Sequence, residues 1–191
     1  MEIFGWVVVA IIVGIPLFGI LLYNKLVGLR NQVKNAWRQI DVQLKRRHDL
    51  IPNLVEVVKD YMSYEQETLE KVMQARSAVS AAREKGDVSA LGPAETQLRM
   101  GLGNLFALAE DYPDLKANDS FQHLQARISG LENAIADRRE FYNESVNNNN
   151  VRIEQFPDVI IARNLGFGAR DLLEFSEEET KDVDVKELFS E

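Results

Sequence analysis

The sequence predicts an all-α protein. We expect a single N-terminal transmembrane helix, an antiparallel bundle of about four long helices, a short C-terminal helix and an acidic tail. Three observations support this prediction. The chain opens on a run of 21 uncharged residues, 3–23. Apolar residues then recur at alternating steps of four and three, which places them on one stripe of a helix. No segment of useful length has the two-residue period of a strand. The predicted segments are an anchor at 1–25, a bundle at 26–168 and a tail at 169–191.

The run at 3–23 is long enough to cross a bilayer. At about 1.5 Å per residue, a helix of this length spans a hydrocarbon core of about 30 Å. The alternative is a cleaved signal peptide, but Glu2 gives the run an acidic start and no small-x-small cleavage site follows it. We therefore expect an uncleaved anchor in contact with the lipid bilayer.

Basic residues follow the run and predict its orientation: Lys25, Arg30, Lys34 and Arg38. The positive-inside rule then places the N-terminus outside and the bundle in the cytoplasm, as expected of a single-pass protein of the cell (inner) membrane. The alternative interpretation of these residues is the solvated face of the next helix.

The predicted bundle is organised around residues 33–61. Its stripe contains one charged residue: Val33, Trp37, Ile40, Leu44, Arg47, Ile51, Leu54, Val58 and Tyr61. A stripe of this length needs other helices as cover. Only Gly28 weakens the path from the anchor, so we expect the anchor to run straight into this helix. Pro52 is expected to kink or break it, with helix continuing to about Met62.

Capping and turn residues predict the next two helices. Ser63, with Gln66 three residues later, has the pattern of a capping box for the second helix. Its inward residues are Leu69, Val72, Ala75, Val79 and Ala82. Gly86 and Asp87 end it. We expect the pair at 92–93 to open the third helix, because proline suits a first turn, and Pro113 to stop it. The stripe of the third helix is Leu98, Leu102, Leu105, Ala109 and Tyr112.

The fourth helix is expected to begin at Asn118 and Asp119 and to end before Pro157. Its stripe is Phe121, Leu124, Ile128, Leu131, Ile135, Arg138, Tyr142, Val146, Asn149, Ile153 and Phe156. Four asparagines at 147–150 are poor helix formers, and propensity alone favours a break there. The unbroken four-three spacing favours one long helix, which is our prediction. A short helix at 157–163 and a turn at 166–168 follow.

Charge is concentrated at the C-terminal end of the chain. Residues 171–191 hold nine acidic residues and two lysines, whereas residues 1–170 are nearly neutral within a total of −8. The basic surface required for nucleic acid binding is missing, so we expect no nucleic acid partner. Apolar residues within the tail leave two interpretations open: a mobile tail, or a segment that docks on a partner or folds back.

The sequence contains no strong catalytic motif. Cysteine is absent, and neither His48 nor His123 begins a helical pair of histidines. The two GxG fragments, at 101–103 and 166–168, do not follow a strand, so they lack the context of a phosphate-binding loop. We assign no catalytic, cofactor-binding or metal-binding residues. We expect a protein that is not an enzyme and has no cofactor.

Two arginines fall on buried stripes, Arg47 and Arg138. A buried guanidinium needs an acceptor. We therefore predict that Arg47 pairs with a carboxylate or with backbone carbonyls, the alternative being that both side chains reach solvent at the edge of the stripe. On the exposed face of the same helix, the four-residue spacing of Asp41, Lys45 and Asp49 favours a pair between Asp41 and Lys45.

Two stretches together resemble the LemA family of bacterial membrane proteins. They are NAWRQIDVQLKRRHDLIPNLVEVVKDY at 35–61, followed by Glu65, Leu69 and VMQARSA at 72–78, and FYNESVNNNNVRIEQFPDVIIARNLGF at 141–167. One departure is visible: Asn149 and Asn150 stand where the family pattern has a second Tyr-Asn. The resemblance implies an antiparallel helical bundle on a single-pass anchor, with no established enzymatic activity and no cofactor or catalytic residues to transfer. A family member associated with magnetosome membranes implies a role in membrane organisation.

Our first hypothesis is a non-enzymatic, membrane-anchored scaffold or adaptor that binds another membrane protein or forms a homo-oligomer. The second is a membrane-tethered sensor or regulator that binds a small ligand or peptide within the bundle. An internal cavity with convergent polar groups would favour the sensor, and a dry packed core would favour the scaffold.

Overall fold

The computed structural model of this chain describes residues 2–62 and 64–174. This part of the chain holds six helices and no strand, which confirms the predicted fold class. The helices are α1 (Glu2–Lys59), α2 (Gln66–Lys85), α3 (Val88–Ala109), α4 (Pro113–Lys116), α5 (Asp119–Glu154) and α6 (Asp158–Leu165). Four of them are long, as predicted, and α4 is an additional short helix. The acidic tail beyond Glu174 lies outside the described residues.

Helix α1 joins the predicted anchor to the organising stretch without a break. It passes through Gly28 and Pro52 and ends at Lys59. Pro52 does not end the helix, because proline removes only one ladder hydrogen bond and its neighbours Ile51 and Leu54 are fully buried. The helix stops a few residues earlier than expected, so Tyr61 lies outside it and is exposed.

The N-terminal part of α1 is apolar and uncovered. Its most apolar stretch has a mean hydropathy of 2.6, and none of that stretch is buried inside the protein. Aliphatic and aromatic side chains from Ile3 to Leu21 face outward on every side of the helix. A helix that is apolar all round and has no protein cover is typical of a membrane span.

The chain forms two compact units. The first combines Met1–Ile40 with Asp137–Leu172 and so contains parts of α1 and α5 together with α6. Within it, Leu26 packs with Ile153 and Ala162, and the Trp37 and Tyr142 rings lie 5.7 Å apart. Later residues of α1 therefore meet earlier residues of α5, which makes the two helices antiparallel in this unit.

The second unit combines Asp41–Ala136 with Leu173 and Glu174 among the described residues. Helices α2 and α3 form an antiparallel hairpin in which Val72 lies beside Gly101, each equally far from the turn. Gly86 makes that turn with a φ of 66°, a left-handed conformation that favours glycine. The C-terminal part of α1 also runs antiparallel to α2, since His48 contacts Arg76 and Asp41 contacts Arg83.

Two predicted helix starts are wrong. Helix α2 begins at Gln66, later than the capping-box pattern predicted, and Ser63 lies outside the described residues. Helix α3 begins at Val88 rather than at 92–93, which leaves Pro93 inside the helix. The cause is Asp87, whose side chain accepts a hydrogen bond from the Ala90 N–H at 3.0 Å and so caps the helix directly after the turn.

Helix α5 confirms the periodic interpretation but not every residue of the predicted stripe. It runs unbroken through residues 147–150, and Asn118 caps it by accepting a hydrogen bond from the Phe121 N–H. Arg138 and Phe156 were expected on the buried side, and both are exposed. Arg138 lies on the exposed side of α5 although Ile135 and Tyr142 are buried, and Phe156 lies beyond the end of the helix at Glu154.

Candidate functional site

A fully buried charged side chain lies in the second unit. Arg47 on α1 has no solvent exposure. Its Nη1 donates to Glu132 Oε1 on α5 at 2.5 Å, and its Nη2 donates to Glu95 Oε1 and Oε2 on α3 at 2.5 and 2.6 Å. We call these three residues the Arg47 cluster. The prediction that Arg47 pairs with a carboxylate is confirmed.

Two opposing effects act on the pKa of Arg47. Burial alone would lower this pKa, because a low-dielectric interior disfavours the charged form. The charges and hydrogen bonds of Glu95 and Glu132 more than offset burial, and the pKa of Arg47 is raised. The guanidinium therefore remains positive between its two carboxylates.

The chemistry of the Arg47 cluster is structural. A guanidinium is a donor only and does not release its proton near neutral pH, so it cannot exchange protons with a substrate. Its carboxylate partners come from two other helices, so the cluster ties α1, α3 and α5 together at one level. A buried charge network of this kind specifies which residues face one another, since a shifted alignment leaves a charge without a partner.

Sequence reasoning found Arg47 but missed both of its partners. Glu95 lies on the buried stripe between Leu91 and Leu98, but the expected helix start at 92–93 placed Leu91 outside the helix. On α5, the strict four-three series selected Leu131 in place of its neighbour Glu132. Spacings of four from Leu91 and from Ile128 would have identified both glutamates.

The other polar side chains of α1 form pairs near the surface. Arg76 on α2 donates from Nε to the His48 carbonyl at 2.9 Å and places Nη2 2.7 Å from His48 Nε2. Burial, and then the charge of Arg76, lower the pKa of His48. The other histidine, His123, is exposed on α5.

The expected pair between Asp41 and Lys45 is wrong. Lys45 donates to Asp49 at 3.0 Å instead, and Asp41 faces Arg83 at 3.7 Å. The contact with α2 draws Asp41 away from its helical neighbour. Neither pair lies in the core.

A groove lies between the C-terminal end of α1 and the N-terminal part of α2. Its volume is about 530 Å³. The lining is mainly apolar with three polar side chains at its edge: Val55, Lys59, Met62, Gln66, Leu69, Glu70 and Met73. Across residues 2–62 and 64–174, no group of three or more histidine, aspartate or glutamate side chains is placed to hold a metal ion.

Comparison with known proteins confirms the resemblance seen in the sequence. Residues 36–186 match the LemA family. Protein LemA of Metamycoplasma hominis is 31% identical over 86% of this chain and 74% of its own length. Magnetosome protein MamQ of Magnetospirillum gryphiswaldense and Magnetosome protein MamQ 1 of Paramagnetospirillum magneticum are each 24% identical over 76% of this chain. The matched region spans only 62% of each magnetosome protein.

Proposed function

Because the chain belongs to the LemA family, we propose that it is a membrane-anchored helical scaffold or adaptor without enzymatic activity. The apolar, uncovered helix and the magnetosome relatives fit a single-pass membrane protein. Proteins of the LemA family are not known as enzymes. In the proposed role, the helical part binds another membrane protein or a second copy of this chain.

One observation carries this proposal. Helix α1 contains both the uncovered apolar stretch and the buried stripe from Val33 to Val58, without interruption. One element thus supplies the lipid-facing surface and a large share of the core. This arrangement suits a protein that presents a folded surface at a fixed place on a membrane.

The Arg47 cluster supports the same proposal. Charged groups from three helices converge in it, and its members bind one another. A ligand site needs polar groups that are free to meet the ligand. The converging polar groups of this core therefore favour the scaffold over a ligand sensor.

Photo-crosslinking in intact cells tests the scaffold. A photoreactive amino acid replaces Met100 on α3 in one variant and Val42 on α1 in another, both of them exposed apolar residues. The matched control replaces Leu102, which is buried on α3. We expect the exposed positions, but not Leu102, to crosslink to one membrane protein or to another copy of the chain. Crosslinks from neither exposed position would contradict the proposal.

The groove between α1 and α2 supports a second candidate, the ligand sensor. Met62 and Met73 give it a deformable apolar lining, while Lys59 and Glu70 offer charged groups at its edge. The test measures the melting temperature of the purified full chain with fractions of a metabolite extract. A compound that stabilises the protein and its Met100→Trp variant, but not the Met73→Trp variant, would favour the sensor. A uniform response would leave the scaffold as the better proposal.

A further inference from the structure

An extended segment follows α6 and lies along α5. It begins at the turn made by Gly166, whose φ is 71°, and it contains no helix. Three side chains of α5 bind its main chain: Tyr142, Asn149 and Asn150. All the residues of this contact, from α5 and from the segment 168–171, belong to the first unit.

Asn150 binds both polar groups of one peptide residue. Its Nδ2 donates to the Arg170 carbonyl at 2.8 Å, and its Oδ1 accepts from the Arg170 N–H at 2.9 Å. An adjacent β-strand offers the same pair of hydrogen bonds to an extended chain. The side chain of Arg170 is exposed, and both hydrogen bonds from Asn150 go to the main chain of this residue.

Two buried residues extend the contact in both directions. The Tyr142 hydroxyl donates to the Asp171 carbonyl at 3.0 Å, and Asn149 Nδ2 lies 3.5 Å from the Gly168 carbonyl. Asn149 also donates to Asn150 Oδ1 at 3.2 Å, which orients the carboxamide that binds Arg170. Tyr142 is 4% exposed and Asn149 is 3% exposed, so both groups are preorganised inside the unit.

The asparagines at 149 and 150 are poor helix formers inside a long helix. Their neighbours Asn147 and Asn148 are exposed, whereas Asn149 and Asn150 turn toward the segment. A carboxamide presents a donor and an acceptor on two separate atoms, which match the C=O and N–H of one peptide residue. The hydrogen bonds to the segment explain why asparagines stand at positions 149 and 150 of this helix.

We propose that Tyr142, Asn149 and Asn150 form a peptide-binding site that recognises the main chain of an extended segment, and that residues 168–171 of this chain are its resident occupant. Recognition depends on the peptide backbone, so side chains of the occupant such as Arg170 can vary. A free peptide of the same sequence can take the site when the resident segment is weakened. This inference is independent of the scaffold proposal and of the groove between α1 and α2.

The test uses the full chain in lipid nanodiscs. Arg170→Pro removes the N–H that donates a hydrogen bond to Asn150 Oδ1, and it leaves the sequence of α5 unchanged. Arg170→Ala removes only the side chain. The probe is a fluorescent synthetic peptide of residues 168–174, GARDLLE, followed by fluorescence anisotropy. We expect the Arg170→Pro protein to bind it at least tenfold more tightly than the Arg170→Ala or unsubstituted protein. Equal affinity for all three proteins, or no binding to any, would overturn the proposal.

A second comparison isolates the main chain. A peptide methylated on the Arg170 nitrogen lacks the same donor, and we expect its affinity for the Arg170→Pro protein to fall at least tenfold. Adding Asn150→Ala to Arg170→Pro should abolish binding, whereas adding Asn148→Ala should not. Binding that survives either the methylation or Asn150→Ala would show that the site does not recognise the main-chain N–H and C=O of residue 170. Circular dichroism verifies that each variant keeps its helix content.

Discussion

Arg47 supplies the positive charge of the Arg47 cluster, and both carboxylates are hydrogen-bonded to it. The Arg47→Met variant fills a similar volume but removes the guanidinium that Glu95 and Glu132 share. Removing one partner of a buried charge network typically destabilises a protein by about 3–5 kcal/mol. We expect the free energy of unfolding, measured by chemical denaturation of the detergent-solubilised protein, to fall by about this amount.

Two variants control this prediction. Adding Glu95→Gln and Glu132→Gln removes the two negative charges that faced Arg47, and we expect this to restore much of the lost stability. Lys45→Met also breaks an ion pair of α1, but Lys45 is 62% exposed and its loss should change stability very little. An Arg47→Met variant as stable as Lys45→Met would contradict the structural role of the cluster.

The stability of the second unit should depend on the protonation of His48. Burial and Arg76 lower its pKa, so the folded protein binds the proton less readily than the unfolded chain. The stability contributed by neutral His48 is therefore present above the unfolded pKa of about 6.5, and it is lost as pH falls through the folded pKa.

The melting temperature of the unsubstituted protein and two variants, recorded at several pH values below 7, measures this dependence. His48→Gln should flatten the decline toward acid, whereas His123→Gln, which changes an exposed histidine, should leave it in place. Identical pH profiles for the His48→Gln variant and the unsubstituted protein would refute the assignment.

The sequence placed two arginines on buried stripes, of which Arg47 alone is buried, and it did not identify the carboxylates that Arg47 contacts. Arg47 falls on a stripe whose other members are nearly all buried, so its position follows from periodicity alone. Its partners depend on choices between adjacent residues, such as Leu131 or Glu132, and spacing alone does not make that choice. Arg138 was placed on the stripe of α5 by spacing, but it is exposed.

At the scale of single helices, Gly92 marks a close approach. A Cβ atom at this position of α3 would lie 2.4 Å from the Glu174 carbonyl oxygen, a backbone atom that cannot rotate away. At Gly103 on the same helix, a Cβ atom would have no neighbour within 4 Å. Replacing glycine by alanine should therefore destabilise the protein at position 92 and stabilise it at position 103.

We expect Gly103→Ala to raise the free energy of unfolding by up to about 1 kcal/mol, the gain in helix propensity from glycine to alanine. Gly92→Ala should lose more than this gain and so lower stability. Thermal unfolding of both variants measures the difference, which corresponds to about 2–4 °C for each kcal/mol in a protein of this size. Stabilisation by both substitutions would mean that Glu174 does not lie against Gly92.

The long helices were predictable because their apolar spacing is regular over many turns. Helix α5 continues through residues 147–150 even though asparagine disfavours helix, and hydrogen bonds to Gly168 and Arg170 occupy two of these side chains. Helix starts were less predictable. A proline at 93 suggested a first turn, but the cap supplied by Asp87 begins α3 earlier.

At the scale of the molecule, we predict that one stretch of α1 attaches the protein to the membrane. Arginine near the centre of a spanning helix costs about 2.5–3.5 kcal/mol for each residue. We expect the unsubstituted protein to stay in the membrane fraction after alkaline extraction and the double variant Ile12→Arg, Val13→Arg to be released. The control Val42→Arg places one arginine on an exposed part of α1 outside the apolar stretch, and it should remain attached. Retention of the double variant would exclude the stretch as the anchor.

A labelling experiment tests the predicted cytoplasmic location of the helices that follow the anchor. The chain contains no cysteine, so a single cysteine at exposed Ser89 gives an unambiguous label. In intact spheroplasts, a membrane-impermeant maleimide should not react with the Ser89→Cys variant until the membrane is permeabilised. Labelling before permeabilisation would reverse the proposed orientation.

Periodicity identifies residues that are buried but not the helix that covers them. The stripe of α1 from Val33 to Val58 was visible in the sequence, whereas its contribution to two compact units was not. Nor did the spacing show that Trp37 meets Tyr142, because any apolar stripe could have covered it.

The first unit is assembled from two distant parts of the chain, Met1–Ile40 and Asp137–Leu172. A ribosome makes the first part well before the second, and at about 5–20 residues per second the delay is roughly 5–20 s. During that time Leu26, Val33 and Ala36 have no α5 to cover them, although the apolar stretch before them is already available to the membrane. Each new molecule therefore passes through a stage in which a half-made unit exposes an apolar face beside the bilayer, open to chaperones and to neighbouring nascent chains.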